Sequence, residues 1–444
     1  MNIYRILIRI AILLVVIAFM GCARVSDISE KPAQLPPAVE TKTQKDIPPP
    51  QEKLPEVKPT EVTAPKAEPP STKPVLGKVD RFTVGCVLPL SGAYAAEGNK
   101  ALEAILLAAG IFDASSKTPW KVIAADSRGV SEGAKEAITR LANDENAMAI
   151  IAVTGTPEAT EAALAAEKWK VPLVLITSKE GVTGGNQYVF QHFLTPTQQI
   201  RALTKYALDN LNCAIFSILY PKDRYGTEMV KIFREEVQSI GGKVEATVPY
   251  SKTQSDFTAE ISKVTGNMGN TGDKLNLKKK SGATAPLSAN FEALFIPDSY
   301  LRVKMIAEQL TFHNVKGFYL LGTSLWNSPE LLKKGSEHLE GAIIADCFCN
   351  VSRYPEANNF IDIYYSAYGR EPAYIEALAY DSAGMIFKVL EKNDVQTRRD
   401  LVSALTGLKN YRGATGATYF NEDRVSQKVA FILKVINGKL EQVK

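Results

Sequence analysis

Five short polar runs each follow an apolar stretch directly, and they carry the residue types that hold small molecules. Val84, Cys86 and Val87-Leu88 lead into Ser91-Gly92-Ala93-Tyr94, Ala147 to Val153 into Thr154-Gly155-Thr156, and Val171 to Ile176 into Thr177-Ser178. Further along, Ala293 to Pro297 leads into Asp298-Ser299, and Phe318 to Leu321 into Gly322-Thr323-Ser324. Hydroxyls and backbone N–H groups at such places donate and accept hydrogen bonds, which is the chemistry of binding. In open α/β sheets the crevice beyond the carboxyl ends of the strands takes ligands, because loops and helix N-termini present unpaired N–H groups there. One such ending is an ordinary turn; five in one chain outline a ligand edge.

Signatures of catalysis are missing. The chain has no GxGxxG, Walker loop, HExxH or GxSxG. His192, His313 and His338 are isolated from one another and from cysteine pairs, so neither a metal site nor a cofactor is expected, and each histidine reads as structural or exposed. The net charge of +4 is small and unclustered, which argues against a nucleic-acid partner.

Around the polar endings the pattern alternates. Helical spacing follows the first strand over Glu97 to Phe112; then come a strand at Trp120 to Asp126, a helix at Glu132 to Leu141, the strand at Ala147, a helix at Glu158 to Trp169 and the strand at Val171. Such alternation means right-handed βαβ crossovers and a parallel sheet. A second run begins after Thr195-Pro196-Thr197, with strands at Ala214 to Tyr220, Lys243 to Val248, Ala293 to Pro297 and Phe318 to Leu321. Its helices are expected at Gly226 to Ile240, Asp256 to Val264 and Leu301 to Phe312. A strand at Gly341 to Phe348, helices near Pro355 to Tyr368, Ile375 to Leu390 and Asp400 to Leu408, and strands around Tyr411 to Phe420 and Lys428 to Ile436 finish the chain. The fold expected is α/β, with two Rossmann-like lobes of parallel sheet joined by a multi-strand hinge. Lobe one is assigned to about 80–196 and 350–395, lobe two to about 197–349 and 396–444, with 267–290 a Gly, Lys and Asn-rich loop insertion.

The N-terminus has a different character. Arg5 and Arg9 precede an apolar run from Ile10 to Met20 that is short for a membrane span, and Gly21-Cys22 follow at once. Residues 1–22 resemble a bacterial lipoprotein signal peptide, with Phe19-Met20-Gly21-Cys22 as the lipobox and Cys22 as the lipidated residue; the alternative is an uncleaved anchor. Residues 23–79 are rich in Pro, Lys, Glu, Thr and Ala and bury too little to offset ordering, so they read as a disordered tether rather than a proline-rich docking site. At about 3.1 Å per residue, its stretched reach is on the order of 150 Å.

Of five cysteines, Cys22 is assigned to lipid, while Cys86 and Cys213 read as small buried hydrophobes. Cys347 and Cys349 flank Phe348 in a strand-like run, on one face. A disulfide between them is conceivable in an oxidising compartment but strained, so they stand as free or partnered elsewhere.

VGCVLPLSGAYAAEGNKALEA, WKVIAADSRG, VPLVLITSKEG, DRYG and EALAYDSA together resemble the type I periplasmic binding proteins of the Leu/Ile/Val-receptor class, over about residues 80 to 440. FIPDSYLRVKMIAEQLTF followed by LLGTSLWNSPEL is similar to the branch of penicillin-binding-protein activators. The resemblance implies that Ser91 to Tyr94, Thr154, Gly155, Thr156, Thr177 and Ser178 hold a ligand carboxylate, helped by the helix N-terminus near Glu158, and that Tyr225 closes from the other lobe. In the amino-acid receptors an acid from lobe two meets the ligand ammonium, in the loop where this chain has Gly322-Thr323-Ser324-Leu325-Trp326 and no carboxylate. Asp298 is the nearest substitute, or else a helix cap for the segment at Leu301. Ser324 joins the ligand set, and Trp326 is either a stacking wall or buried core.

The function expected is that of an anchored extracytoplasmic receptor that binds an amino acid or similar small polar ligand between its lobes and serves an ABC permease. The alternative is a regulator of peptidoglycan synthesis that touches a penicillin-binding protein. An enzyme on this fold lacks a nucleophile and base pair. The location expected is the periplasmic side of a bacterial membrane, the outer one favoured because Arg24 rather than aspartate stands two places after Cys22.

Overall fold

The computed structural model describes residues 78–111, 118–266, 287–333 and 336–444. All lie in one compact unit, Thr72–Lys444. The expected signal peptide with Cys22, almost all of the expected tether, and residues 267–286 of the insertion fall outside the described residues.

The first lobe alternates β1 (Asp80–Leu88), α1 (Ala95–Ala108), β2 (Lys121–Asp126), α2 (Ser131–Asn143), β3 (Ala147–Val153), α3 (Thr156–Trp169), β4 (Leu173–Ile176) and β5 (Val189–Gln191). The second contains α4 (Pro196–Leu211), β6 (Ile215–Pro221), α5 (Arg224–Ser239), β7 (Lys243–Tyr250), α6 (Thr258–Val264), β8 (Leu287–Ser288), β9 (Ala293–Phe295), α7 (Tyr300–Phe312), β10 (Val315–Lys316), β11 (Tyr319–Gly322) and β12 (Ile343–Asp346). The chain returns through α8 (Pro355–Tyr368), α9 (Tyr374–Leu390), α10 (Arg398–Thr406), β13 (Tyr411–Gly413), β14 (Gly416–Phe420) and β15 (Ser426–Lys428). It ends in β16 (Phe431–Ile436) and β17 (Lys439–Gln442).

The first sheet is parallel throughout, in the order β2-β1-β3-β4-β5. In the second, β7-β6-β9-β11-β12 repeat that order in parallel, and β16 and β17 add an antiparallel edge. Helices cover both faces of each sheet, so central strands such as β3 and β4 are apolar runs, while edge strand β7 alternates. In β3, Met148, Ile150 and Ile151 are fully buried; side chains of that size stabilise the fold by roughly 1.5–3 kcal/mol each. Beside β1 the first helix packs tightly: a Cβ on Gly98 would stand 2.1 Å from the Pro89 carbonyl oxygen, so only glycine fits there.

Three crossings join the lobes among the described residues: 192–195, 347–350 and 428–431. The first of them runs beside β15, which leads into the last: the Phe193 N–H donates to Ser426 Oγ at 3.1 Å and the Ser426 hydroxyl donates back to the Phe193 carbonyl at 2.9 Å.

The structure departs from the sequence-based reading at several points: strands β5 and β17 are additional, and four further differences bear on the architecture. Helix α4 was not anticipated, although Thr195-Pro196-x-Gln198 is a start signal: Gln198 N–H donates to the Thr195 hydroxyl at 3.3 Å and Thr195 N–H to Gln198 Oε1 at 3.1 Å, a capping box. Residues 398–428, assigned to lobe two with the rest of 396–444, belong to lobe one. Leu401, Leu405, Tyr411 and Phe420 enter the core around β1, and only β16 and β17 join the second sheet. The end of the insertion is not loop, because Leu287–Ser288 pairs in parallel with Val315–Lys316. Cys347 and Cys349 do not share a face: Cys347 lies in the core around β1, Cys349 in one core of lobe two, and both are free thiols.

Candidate functional site

A sheet ordered 2-1-3-4-5 reverses direction between its first and third strands, and the crevice opens at that point because the adjoining connections leave toward opposite faces. In lobe one this is between the ends of β1 and β3, where Ser91 to Tyr94 and Thr154 to Thr156 follow. In lobe two it is between β6 and β9, where Tyr225 and Asp298 follow.

After β1 the loop is fastened from the neighbouring strand. Asp126, the last residue of β2, accepts from the N–H groups of Leu90 at 2.9 Å, Ser91 at 3.2 Å and Arg128 at 2.8 Å, and from the Ser91 hydroxyl at 2.6 Å. Partial burial works against ionisation, yet the Ser91 hydroxyl and the N–H groups of Arg128, Leu90 and Ser91 prevail and hold the carboxyl below its ordinary value. Donors expected to serve a ligand are therefore engaged by the chain itself. Tyr94 is exposed.

At the ends of β3 and β4 the picture is the reverse. The Thr154 N–H donates to Ile176 at 3.2 Å, tying the two endings together. The Thr154 hydroxyl and Glu158 Oε2 are buried without a hydrogen-bond partner among the described residues. Gly155 caps α3 at its N-terminus, Thr156 opens it, and a Cβ on Gly155 would stand 2.6 Å from Glu158 Oε2. Thr177 is buried, its hydroxyl accepting from Lys179 N–H at 3.3 Å and its carbonyl from Gln191 Nε2 at 2.9 Å. Ser178 is exposed beside it.

In lobe two the Tyr225 hydroxyl lies 3.5 Å from Thr323 Oγ1. Burial pushes that phenol up to about 12, against the Thr323 contact and with help from Asp298, Asp223 and Glu228. Asp298 is not the helix cap: Ser299 holds the N-cap position of α7, and Asp298 instead accepts from the Tyr250 hydroxyl at 2.7 Å and from Ser299 N–H at 2.6 Å. Ser324 gives its N–H to Gln199 Oε1 at 3.1 Å. Trp326 is core rather than wall, fully buried with its indole N–H donating to the Ile296 carbonyl at 3.1 Å.

Sequence reasoning did not single out Asp126, Glu158, Tyr250 or Gln199. Two signals were available: an aspartate closing a strand just before Ser-Arg-Gly, which favours capping of nearby N–H groups, and a glutamate third in a helix opened by Gly-Thr-Pro. A cavity of about 800 Å3 flanks the 347–350 crossing, lined by Lys100, Asn327, Phe348, Arg353, Tyr374 and Gln442 among others, and is distinct from the anticipated residues. Among the described residues no three His, Cys, Asp or Glu side chains group to hold a metal ion, and no helix is long and apolar enough to cross a membrane.

The family described as periplasmic binding protein matches residues 81–267 and 305–439. The fold is similar to that of a leucine-binding protein from Thermotoga maritima, with 23% identity over 82% of this chain and 98% of that one and a TM-score of 0.62. It is also similar to the branched-chain amino acid transporter substrate-binding protein of Streptococcus pneumoniae, solved with isoleucine, at 22% identity over 81% and 97% with a TM-score of 0.61. A solute-binding protein of an ABC transporter from R. palustris, solved with benzoate, shares 16% identity over 82% and 95% with a TM-score of 0.59. No curated protein matches the chain.

Proposed function

The chain belongs to the periplasmic binding protein family, and from that premise we propose that it is a membrane-anchored extracytoplasmic receptor that takes an amino acid or similar small polar ligand between its lobes and delivers it to an ABC permease. The family is one of binding proteins, not enzymes, and it works outside the cytoplasm. The observation that supports the reading is the repeated strand order: the loops carrying Ser91 and Thr154 to Thr156 follow the strands that flank one switch point, and those carrying Tyr225 and Asp298 follow the strands that flank the other. Thr177, Ser178 and Ser324 extend the two walls. A ligand that touches both walls favours the closed arrangement by the difference in its affinity for the two states.

Anchoring through a lipidated Cys22, and a long proline-rich tether over 23–79, belong to the same proposal. More than one acyl chain gives stable attachment, and the tether lets the head stand off the membrane. The competing role, regulation of a penicillin-binding protein, draws on that tether and on the activator-like runs FIPDSYLRVKMIAEQLTF and LLGTSLWNSPEL.

The test is a thermal-shift screen of amino acids and small organic acids against ligand-free protein. A bound ligand raises the melting temperature by mass action. No stabilisation by any compound, together with capture of a penicillin-binding protein, overturns the receptor reading.

A further inference from the structure

The cavity at the 347–350 crossing has a volume of about 800 Å3 and draws its walls from both lobes. It stands apart from the crevice. None of the residues expected to hold a ligand lines it, and much of its second-lobe wall is β17, the edge strand that β11, β12 and β16 separate from β9. Cavities of this size hold small organic molecules.

Three basic side chains line it from three separate segments: Lys100 from α1, Arg353 from just before α8 and Lys439 from β17. Arg353 is held against β17 by its main chain. Its N–H donates to Oε1 of the buried Gln442 at 3.0 Å, and the Ser352 hydroxyl donates to the same oxygen at 3.2 Å. None of the three basic side chains has a hydrogen bond or an ion pair among the described residues. The acids that share the lining leave them free: Glu371 takes the Asn350 amide at 2.9 Å, and Glu441 is exposed and pairs with no base.

Beside these bases the lining is apolar, supplied by Phe348, Leu332, Pro372 and Leu440, and the ring of Tyr374, 39% exposed, adds to it. A guanidinium forks onto carboxylate or phosphate oxygens, ammonium groups add charge as points, and an apolar body gains by leaving water. We propose that this cavity is a second binding site, which takes a small aromatic dianion and joins the lobes through it. Lys100 meets the charge from the first lobe, Arg353 and Lys439 meet it from the side of β17, and Phe348, Leu440 and Tyr374 cover the ring. The site stands independently of the crevice reading. Two negative charges on a ring are the shared chemistry of an aromatic dicarboxylate and an aryl phosphate.

Calorimetric titration of the full chain with phthalate, phenyl phosphate, benzamide and inorganic phosphate tests this. Phthalate or phenyl phosphate binds, and the tighter of the two identifies the source of the charge. Benzamide, with a ring and no charge, and inorganic phosphate, with charge and no ring, bind about tenfold more weakly or less. Lys100→Gln, Arg353→Gln and Lys439→Gln each weaken the dianion about three- to tenfold, and added salt weakens it more in the wild type than in the variants. The variants melt with the wild type in the absence of ligand, because the three side chains hold no hydrogen bond in the free protein. No binding of either dianion, or binding indifferent to all three substitutions, overturns the site. Binding that survives those substitutions and is lost in Thr156→Val places the anion in the crevice, which also overturns this site and leaves the crevice reading standing.

Discussion

Cys347 and Cys349 stand two residues apart and pack into different lobes. Cys347 lies with Phe348, Phe360 and Met385 in the core around β1; Cys349 lies with Ile344, Leu433 and Phe431 in a core of the second sheet. At this crossing from β12 of the second lobe to α8 of the first, side chains of one short run are thus seated in both cores. Two thiols committed to separate cores have no common face on which to form a bond.

Four free thiols follow. The head unfolded without reductant releases four, from Cys86, Cys213, Cys347 and Cys349. In the native state they react slowly, because burial pushes Cys86 up to about 12 and, with the nearby Glu292, Cys213 up to about 11, leaving little thiolate at neutral pH. A count of two on unfolding contradicts the separation of the crossing.

Asp346, just before that crossing, gives the hinge a pH signature. Burial pushes its carboxyl up to about 6, against hydrogen bonds from Asn327 and the Cys347 N–H. The folded state then holds the proton more tightly than the unfolded one, so this group's contribution to stability is present below about pH 4 and is lost as pH rises to about 6. Urea unfolding of wild type and Asp346→Asn, compared from pH 4 to 7, shows the difference shifting by about 1–3 kcal/mol in favour of the variant across that window and flat above it. A difference that does not change with pH refutes the assignment.

Gly322 is required by Trp326. A Cβ there would lie 2.1 Å from the indole ring, which is itself fixed by its bond to the Ile296 carbonyl and has nowhere to move. Gly322→Ala lowers stability by about 1–3 kcal/mol, read as a denaturant midpoint shift together with a red shift of tryptophan emission. An unshifted midpoint means the ring is free to yield.

Arg398 fastens α10 to the first lobe. Its guanidinium donates to the carbonyls of Ala142 at 2.7 Å, Ala147 at 2.8 and 3.0 Å and Trp169 at 3.2 Å. Arg398→Met removes all of them and costs about 2–4 kcal/mol. Arg398→Lys recovers little, because a single ammonium on a flexible stem cannot fork to three carbonyls. Hydrogen exchange confirms the location if α10 and the end of α2 lose protection together, and contradicts it if α10 frays alone.

The sequence by itself determined the α/β class, the repetition of two halves, most strands and helices to within a few residues, and the polar runs that end the strands. These are legible because burial leaves a local period, 3.6 in a helix and a continuous apolar run in a covered strand, and each run is read from its own residues. Helix α4 was legible as well, from its capping box and from Ile200, Leu203 and Ala207 at helical spacing, whereas the three residues of β5 carry no period. Only the tertiary structure decided which sheet each element covers and which polar groups find partners. A period reports that a face is buried without saying against what: α10 belongs to lobe one because Arg398 meets Ala147, 251 positions away in the chain. Likewise, Ser91 and Thr154 both bring a hydroxyl to the end of a strand, yet Asp126 accepts from the first while the second is buried with no partner among the described residues. That difference is set by contacts between neighbouring strands and loops, to which local sequence is blind.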